Sequence, residues 1–188
     1  MKKINPKIFR EYDIRGIVGE DLSKEFAYVL GRAFAEYLRE KGTIKALVAR
    51  DTRITSEPYG NALTRGLTEG GCVVYDMGVA IVSTLYFARQ YWKIDGGIMI
   101  TSSHNPPKYN GFKLCHGANS ISGDEIQKVR KIIERIAVTD ERVNANVEKI
   151  TKFPDANKIY YEEIKKRISL KKKLKVAIDS GRAIAGIF

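Results

Sequence analysis

The chain has 188 residues, 44% of them hydrophobic and 10% aromatic, which excludes a disordered protein and provides for one good hydrophobic core. No stretch approaches the roughly 18 consecutive apolar residues of a membrane-spanning helix, and no apolar run or cleavage site of a signal peptide follows the first lysines. The two cysteines, Cys72 and Cys115, are too few and too far apart for a disulfide framework or a zinc site, so we expect reduced thiols in a cytoplasmic protein.

The net charge of +11 is compatible with a nucleic-acid ligand, because clustered Lys and Arg neutralise phosphates. Much of the excess lies in one late stretch, which consists of Lys165, Lys166, Arg167, Lys171, Lys172, Lys173 and Lys175. Such a run is typical of a solvated helix end and loop, and no aromatic-interleaved RNA motif or zinc-finger spacing accompanies it. Nucleic-acid binding is therefore the weaker interpretation, since a positive field also attracts small anionic substrates.

The first predicted elements are a helix and a strand. Residues 21–42 have the spacing of an amphipathic helix whose apolar face consists of Phe26, Val29, Leu30, Ala33, Phe34, Tyr37 and Leu38. Asp21 or Ser23 can cap the start of this helix, and Gly42 can close its end. Residues 45–50, KALVAR, then predict a short buried strand.

Helices and strands alternate further along the chain. Strands are predicted at residues 72–76, 97–101 and 112–115, the last of them after a turn at Asn110-Gly111. Helices are predicted at residues 56–70, at residues 84–91 and after Ser122. Ser122 and Glu125 form a capping-box pair before the third of these helices, whose apolar face consists of Ile126, Val129, Ile133 and Ile136. The alternation predicts a three-layer α/β/α domain with helices on both faces of a mixed sheet.

The composition changes at about residues 140–155, where polar residues and a proline indicate a linker. Beyond it we expect a helix with Tyr160, Ile164 and Ile168 on its apolar side, and a strand at residues 174–179. We therefore divide the chain into a first domain, residues 1–150, and the truncated beginning of a second α/β domain, residues 151–188.

Ser103 lies in a polar loop directly after the predicted strand at residues 97–101, where α/β folds usually keep their chemistry. A serine hydroxyl is a poor nucleophile unless neighbouring groups remove its proton and stabilise charge. His104 is adjacent, and Lys113 follows the Asn110-Gly111 turn, which can fold it back toward the loop. Because such polar residues also serve simply to satisfy the backbone of a turn, spacing alone leaves both interpretations open.

Several common catalytic motifs are absent from the sequence. No serine lies in a G-x-S-x-G elbow, which disfavours serine-hydrolase chemistry. There is neither a Walker A loop nor a G-x-G-x-x-G fingerprint, so nucleotide binding of those kinds has no support.

Four segments together resemble one enzyme family. Residues 101–113, TSSHNPPKYNGFK, closely resemble the active-site serine loop of the α-D-phosphohexomutases, and residues 9–16, FREYDIRG, look like the N-terminal signature of that family. Residues 49–53, ARDTR, are similar to its G-R-D-x-R strand exit, with Ala49 in place of glycine. Residues 175–186, KVAIDSGRAIAG, look like the start of its second domain, although the usual G-N-G is replaced. The N-terminal signature is more similar to the phosphomannomutase/phosphoglucomutase branch than to phosphoglucosamine mutases.

The resemblance implies an enzyme that interconverts hexose 1-phosphate and hexose 6-phosphate. Ser103 would carry a phosphoryl group, give it to the free hydroxyl of the sugar phosphate, and recover the other phosphate from a bound hexose 1,6-bisphosphate, which also acts as activator. Arg15 and Lys113 would supply positive charge and proton transfer, because phosphoryl transfer is catalysed mainly by positioning and charge compensation. His104 would support the phosphoserine, and Tyr12 would shape the sugar site.

The resemblance also implies Mg²⁺, which family members bind through a phosphoserine oxygen and three aspartates of a D-G-D-G-D loop. This sequence contains no such loop, and its one Asp-Gly pair, Asp95-Gly96, precedes the serine strand. Of the expected ligands, only Ser103 is present, through its phosphate, although Mg²⁺ needs several oxygen ligands. A second hypothesis is therefore a catalytically silent domain that binds sugar phosphates or a partner protein. The segment that selects between glucose and mannose phosphate is also absent.

Overall fold

A computed structural model describes residues 4–139, 150–181 and 183–187. Over these residues the strands are β1 (Ile14–Ile17), β2 (Lys45–Arg50), β3 (Val73–Val79), β4 (Gly96–Ile100), β5 (Tyr109–His116), β6 (Asn119–Ser120) and β7 (Ile150–Lys152). The helices are α1 (Lys24–Glu40), α2 (Ser56–Glu69), α3 (Val82–Tyr91), α4 (Asp124–Thr139) and α5 (Ala156–Arg167), with 3-10 turns at Pro6–Ile8 and Ile184–Ile187. None of the helices in these ranges is long and apolar enough to cross a membrane.

The described strands form one mixed sheet in the order β1-β5-β4-β2-β3-β7, with β6 paired to β5. Strands β4, β2, β3 and β7 are parallel, whereas β5 is antiparallel to both of its neighbours, β4 and β1. In β2, Ala46 and Val48 face a core that contains buried residues of α1, α2 and α4. Leu47 and Ala49 face a second core with residues of α3 and α5. The sheet therefore lies between two helical layers, which confirms the predicted three-layer α/β/α fold.

Helices α1 and α2 approach each other closely because each has a glycine at the crossing. A Cβ atom added to Gly31 would collide with the backbone carbonyl of Leu63, and one added to Gly66 would collide with that of Tyr28. The predicted apolar face of α1 is buried, and Ser23 caps the helix by accepting a hydrogen bond from the Phe26 N–H at 3.1 Å.

The predicted turn at Asn110-Gly111 is wrong, because both residues lie inside β5. The Asn110 side chain is buried and donates to the hydroxyls of Thr55 and Ser56, at 2.9 and 3.1 Å. The Asn-Gly pair is therefore used for packing and polar contact within a strand, and the real turn lies at Gly117, between β5 and β6.

Two other local predictions also need correction. Helix α4 begins at Asp124, and the carboxylate of Glu125 accepts hydrogen bonds from Tyr37 and Lys41, both at 2.8 Å, instead of forming a capping box with Ser122. Residues 174–179 form no strand, and the side chains of Leu174, Val176 and Ile178 are exposed, because no described strand lies beside them to pair with their backbone.

The predicted linker at residues 140–155 is wrong in its last part, since Ile150–Lys152 pairs with β3 as an edge strand. Residues 140–149 lie outside the described part of the chain. The segment after β7 packs against helix α3 through aromatic contacts: the ring of Phe153 lies 4.6 Å from that of Trp92, the C-cap residue of α3, and the ring of Tyr160 lies 5.2 Å from that of Phe87.

Candidate active site

The serine loop of the structure, residues 101–109, leads from the end of β4 into β5 and lies beside the start of β1. Strand β5 pairs with β4 along its second half and with β1 along its first half, and Phe112 faces both Ile100 and Ile14. Strand β1 therefore starts beside the exit of β4, with Arg15 opposite Gly111. A Cβ atom on Gly111 would collide with the Ile14 carbonyl, so this close approach of the strands requires glycine.

Ser103 has an exposed side chain and an unusual backbone conformation, with φ at +55°. A non-glycine residue in this left-handed region costs about 1 kcal/mol, which the surrounding contacts must offset. The Ser103 N–H donates to the Thr101 hydroxyl at 2.9 Å, and the Ser103 hydroxyl lies 3.4 Å from Nδ1 of His104. The hydroxyl is thus open to a substrate, while the backbone behind it is held.

Asp51 supports the loop from the end of β2. One carboxylate oxygen accepts from the Thr101 hydroxyl at 2.7 Å and from Nε of Arg53 at 3.2 Å. The other oxygen accepts from the Arg53 N–H at 3.0 Å and from the Ser56 hydroxyl. The exits of the neighbouring strands β2 and β4 are therefore joined by one carboxylate.

The side chain of Arg53 binds the backbone carbonyls of the serine loop. Its guanidinium donates to the carbonyls of Ser103, Asn105, Pro106 and Tyr109, at distances from 2.7 to 3.1 Å.

Asp13 joins two cations beside the loop. Its carboxylate is 2% exposed, and Oδ2 accepts from Nε and Nη2 of Arg15, both at 2.8 Å, and from Nζ of Lys113 at 3.2 Å. Arg15 also donates to the Asn105 side chain at 3.2 Å and approaches the Ser102 carbonyl at 3.5 Å. One buried acid therefore brings Arg15 and Lys113 together at the edge of the serine loop.

A cavity of about 920 Å³ opens at this end of the sheet, and Ser103, Lys113, Asp51 and Arg53 line it. This volume lies at the upper end of the range for small-molecule sites, about 300–1,000 Å³. The ammonium of Lys113 lies 5.2 Å from the centre of the Tyr12 ring, which is 56% exposed. The cavity thus combines an exposed hydroxyl with a cation, as a site for an anionic ligand requires.

Comparison with known proteins identifies the lineage. A family model described as "Phosphoglucomutase/phosphomannomutase, alpha/beta/alpha domain I" matches residues 6–140. The chain belongs to the phosphoglucomutase/phosphomannomutase family.

The relatives are longer than this chain. A phosphoglucomutase of Neisseria gonorrhoeae is 37% identical over 188 residues, which are 100% of this chain and 40% of that protein. A phosphomannomutase/phosphoglucomutase of Pseudomonas aeruginosa is 36% identical over 96% of this chain and 38% of its own length. A solved structure of a phosphoglucomutase/phosphomannomutase family protein from Burkholderia thailandensis superposes with a TM-score of 0.78 at 33% identity, covering 90% of this chain and 38% of that one. The chain therefore spans about 40% of the length of the curated relatives it matches.

In this phosphoglucomutase/phosphomannomutase domain, the residues predicted from sequence lie around one loop, and two of them, Ser103 and Lys113, line the cavity. Arg15 and Lys113 share Asp13, His104 lies beside the Ser103 hydroxyl, and Tyr12 lies beside Lys113. The sequence did not reveal the residues that hold the loop and its cations in place, which are Asp13, Asp51, Arg53, Thr101 and Asn105. All of them lie inside the segments that carried the family resemblance, but a motif does not say which of its side chains bind backbone and which face a ligand.

The described residues do not form a Mg²⁺ site of the kind expected in the family. No group of three or more His, Cys, Asp or Glu side chains in the described ranges is arranged to hold a metal ion. The two acids nearest the loop, Asp13 and Asp51, are both engaged by cations and hydroxyls. A phosphate on Ser103 would supply one ligand, and Mg²⁺ takes several oxygen ligands.

Proposed function

We propose that this chain carries the phosphoserine site of a phosphohexomutase, which interconverts hexose 1-phosphate and hexose 6-phosphate through a hexose 1,6-bisphosphate. The observation that carries the proposal is the exposed Ser103 hydroxyl at a strand exit, in a cavity that it shares with Lys113. Ser102, the neighbouring serine, is fully buried, so only Ser103 of the pair can reach a substrate.

The proposed reaction consists of two phosphoryl transfers. In the first, the bond between phosphorus and the Ser103 oxygen breaks while a bond to the free sugar hydroxyl oxygen forms; that hydroxyl loses its proton, and the Ser103 oxygen takes one up. In the second, the bond between the other phosphorus of the bisphosphate and its sugar oxygen breaks while a bond to the Ser103 oxygen forms; the Ser103 hydroxyl loses its proton, and the released sugar oxygen takes one up. No net phosphate is gained or lost.

Arg15 and Lys113 fit the requirement for positive charge at the transferring oxygens, since such transfers depend on positioning and charge compensation. Asp13 holds these cations in place before the substrate arrives, which lowers the cost of ordering them. His104 would orient the Ser103 oxygen or its phosphate, and the exposed ring of Tyr12 would form part of the sugar site. The proposed Mg²⁺ would contact this chain through the Ser103 phosphate.

The complete cycle is proposed for a protein that also contains the parts its relatives have beyond this segment. Within the chain, we propose that residues 1–150 form the phosphoserine domain and that residues 151–188 begin a second unit, the first part of which, the end of β7 and helix α5, packs on the sheet and core of the first domain. Cys72 and Cys115 are free and buried. Burial raises the pKa of the Cys72 thiol to about 11 and also raises the pKa of Cys115, which fits inert thiols in a reducing, cytoplasmic compartment.

Phosphorylation of Ser103 tests the proposal directly. The chain is incubated with glucose 1,6-bisphosphate and Mg²⁺, and its intact mass and phosphopeptides are measured. We expect one phosphoryl group on Ser103, none in Ser103→Ala, and unchanged labelling in Ser83→Ala, which removes an exposed serine at the start of α3. Labelling that persists in Ser103→Ala would refute the assignment. Binding of sugar phosphates without any transfer to Ser103 would instead support the silent binding domain.

A further inference from the structure

We infer that Arg53 is the positioning residue of the serine loop, holding Ser103 in its left-handed conformation, and that it does not bind phosphate. The inference rests on the proposed function, because it concerns the presentation of the Ser103 hydroxyl. Arg53 lies about fifty residues from the loop in sequence, at the exit of the neighbouring parallel strand β2.

Every donor of the Arg53 side chain is already in use. Nε donates to Asp51 at 3.2 Å, Nη1 donates to the carbonyls of Pro106 and Tyr109, and Nη2 donates to those of Ser103 and Asn105. These five hydrogen bonds equal the number of N–H groups that the side chain carries. A phosphate could bind Arg53 only by displacing a loop carbonyl, although Arg53 lines the cavity.

Ser103 is held on both sides by the same pair of residues. Its carbonyl accepts from Arg53 at 2.9 Å, and its N–H donates to the Thr101 hydroxyl, which donates in turn to Asp51 at 2.7 Å. Asp51 and Arg53 are also paired with each other. The two peptide groups that flank the Cα atom of Ser103 are thus tied to one ion pair, which opposes relaxation of its φ of +55°.

Arg15 has a different arrangement. It donates to the Asp13 carboxylate and the Asn105 side chain, and it contacts the loop backbone at Ser102 alone, at the long distance of 3.5 Å. The two arginines near the serine therefore have different roles. Arg53 holds the loop backbone, whereas Arg15 shares the Asp13 carboxylate with a second cation, Lys113.

The test is Arg53→Lys, with Arg89→Lys as the matched control. Lysine keeps the charge but has fewer donors on a single atom, so it cannot span four carbonyls. Arg89 is a buried arginine that, like Arg53, donates to backbone carbonyls, those of Asp95 and Gly117, but at the opposite end of the sheet. Amide hydrogen exchange is measured over residues 102–109, and the rate of phosphoryl transfer from glucose 1,6-bisphosphate to Ser103 is measured in parallel.

In Arg53→Lys we expect exchange of the loop amides to accelerate about tenfold and transfer to Ser103 to slow about a hundredfold. Arg89→Lys should change neither quantity. Free guanidinium should restore transfer in Arg53→Ala more than free ammonium does, because only a planar fork replaces the lost donors.

Two outcomes would overturn the inference. Unchanged loop exchange and transfer in Arg53→Lys would show that the contacts do not position the serine, and loss of cooperative unfolding in that variant would show that Arg53 serves the whole fold. If the unsubstituted chain takes no phosphate on Ser103, the proposed function fails, whereas the exchange measurement still decides whether Arg53 holds the loop.

Discussion

The helical layer of α1, α2 and α4 and the serine loop are held by different kinds of contact. In the helical layer, buried apolar side chains such as Phe34, Leu63 and Ile133 pack into one continuous core against the sheet. The serine loop contributes little to that core, and its conformation depends on Asp51 and Arg53, which reach its backbone from another strand.

This difference separates the residues that determine global stability from those that hold the proposed site. Apolar packing is spread over many contacts, so its free energy is large but no single group is decisive. The loop instead depends on a few charged side chains, each of which makes several hydrogen bonds that are lost together when it is removed. We therefore expect substitutions in the helical layer to lower global stability without altering the loop, and substitutions at the loop supports to alter the site itself.

The largest effect is expected at Asp13. Asp13→Asn removes the negative charge shared by Arg15 and Lys113, whose side chains are only 10% and 16% exposed. Breaking a buried ion pair on one side costs about 3 kcal/mol, so the free energy of unfolding in urea should fall by about that amount. Added inorganic phosphate should raise the unfolding free energy of Asp13→Asn by more than it raises that of the unsubstituted chain, because the bound anion replaces the missing negative charge.

Asp76→Asn is the matched control for Asp13. Asp76 pairs with Arg50 at 2.9 Å, near the same end of the sheet, but contacts neither Arg15 nor Lys113 in any hydrogen bond or ion pair of the described residues. Phosphate should therefore raise the unfolding free energy of Asp76→Asn no more than it raises that of the unsubstituted chain. Equal recovery of the two variants by phosphate would mean that Asp13 does not balance these cations.

The next effect tests the helical side of the comparison. Gly66→Ala places a methyl group against the Tyr28 carbonyl at the crossing of α1 and α2. The helices must separate, which costs about 2 kcal/mol of unfolding free energy. Loop exchange over residues 102–109, measured below the global unfolding limit, should stay as it is.

Gly60→Ala, on the same helix, is the control for Gly66. Its added methyl group would meet the Arg50 and Ile100 side chains at 3.5 and 3.7 Å, which is ordinary contact. Alanine is favoured over glycine within a helix by about 1 kcal/mol, so this variant should be as stable as the original chain or more so. A similar loss of stability in both variants would contradict the close-crossing explanation.

Most of the fold could be predicted from the sequence because it follows from hydrophobic periodicity. The bounds of β2 and the buried face of α4 agree with the prediction, since three-and-four spacing and short apolar runs determine which side chains must leave water. The turn at Asn110-Gly111 was wrong because a local turn preference was overridden by contacts with Thr55 and Ser56, more than fifty residues away.

The site was predictable only in part, and for a related physical reason. Ser103, His104 and Lys113 could be named because they lie in one recognisable loop and strand. The role of Asp13 depends on β1 and β5 being neighbours, and that of Arg53 depends on β2 and β4 being neighbours. The spacing of residues within a motif does not show which strands are neighbours in the sheet. The residues that hold a loop from another strand are therefore harder to predict from sequence than the residues of the loop itself.

The smallest effect concerns a polar contact inside the helical layer, at Glu125. The hydrogen bond from Lys41 lowers the pKa of Glu125 from its ordinary value of 4.5, burial opposes this shift, and the bond from Tyr37 adds to it. A carboxylate whose pKa is lowered in the folded state stabilises the fold above its unfolded pKa and loses that contribution as the pH falls through the folded value.

Glu125→Gln should therefore cost about 1 kcal/mol at neutral pH, a modest amount because Glu125 and Lys41 are both about one-third exposed and solvent screens their charges. The difference from the original chain should shrink as the pH falls below 4.5 and should disappear only below the lowered pKa of the folded state, where the carboxylate is protonated in both states. Urea unfolding at a series of pH values measures it. Glu134→Gln, which removes an exposed partner 3.8 Å from Arg130 on the same helix, should cost only about 0.3 kcal/mol. A Glu125→Gln penalty that persisted undiminished into acid would mean that α1 and α4 are joined there by packing alone, and that polar contacts matter only at the serine loop.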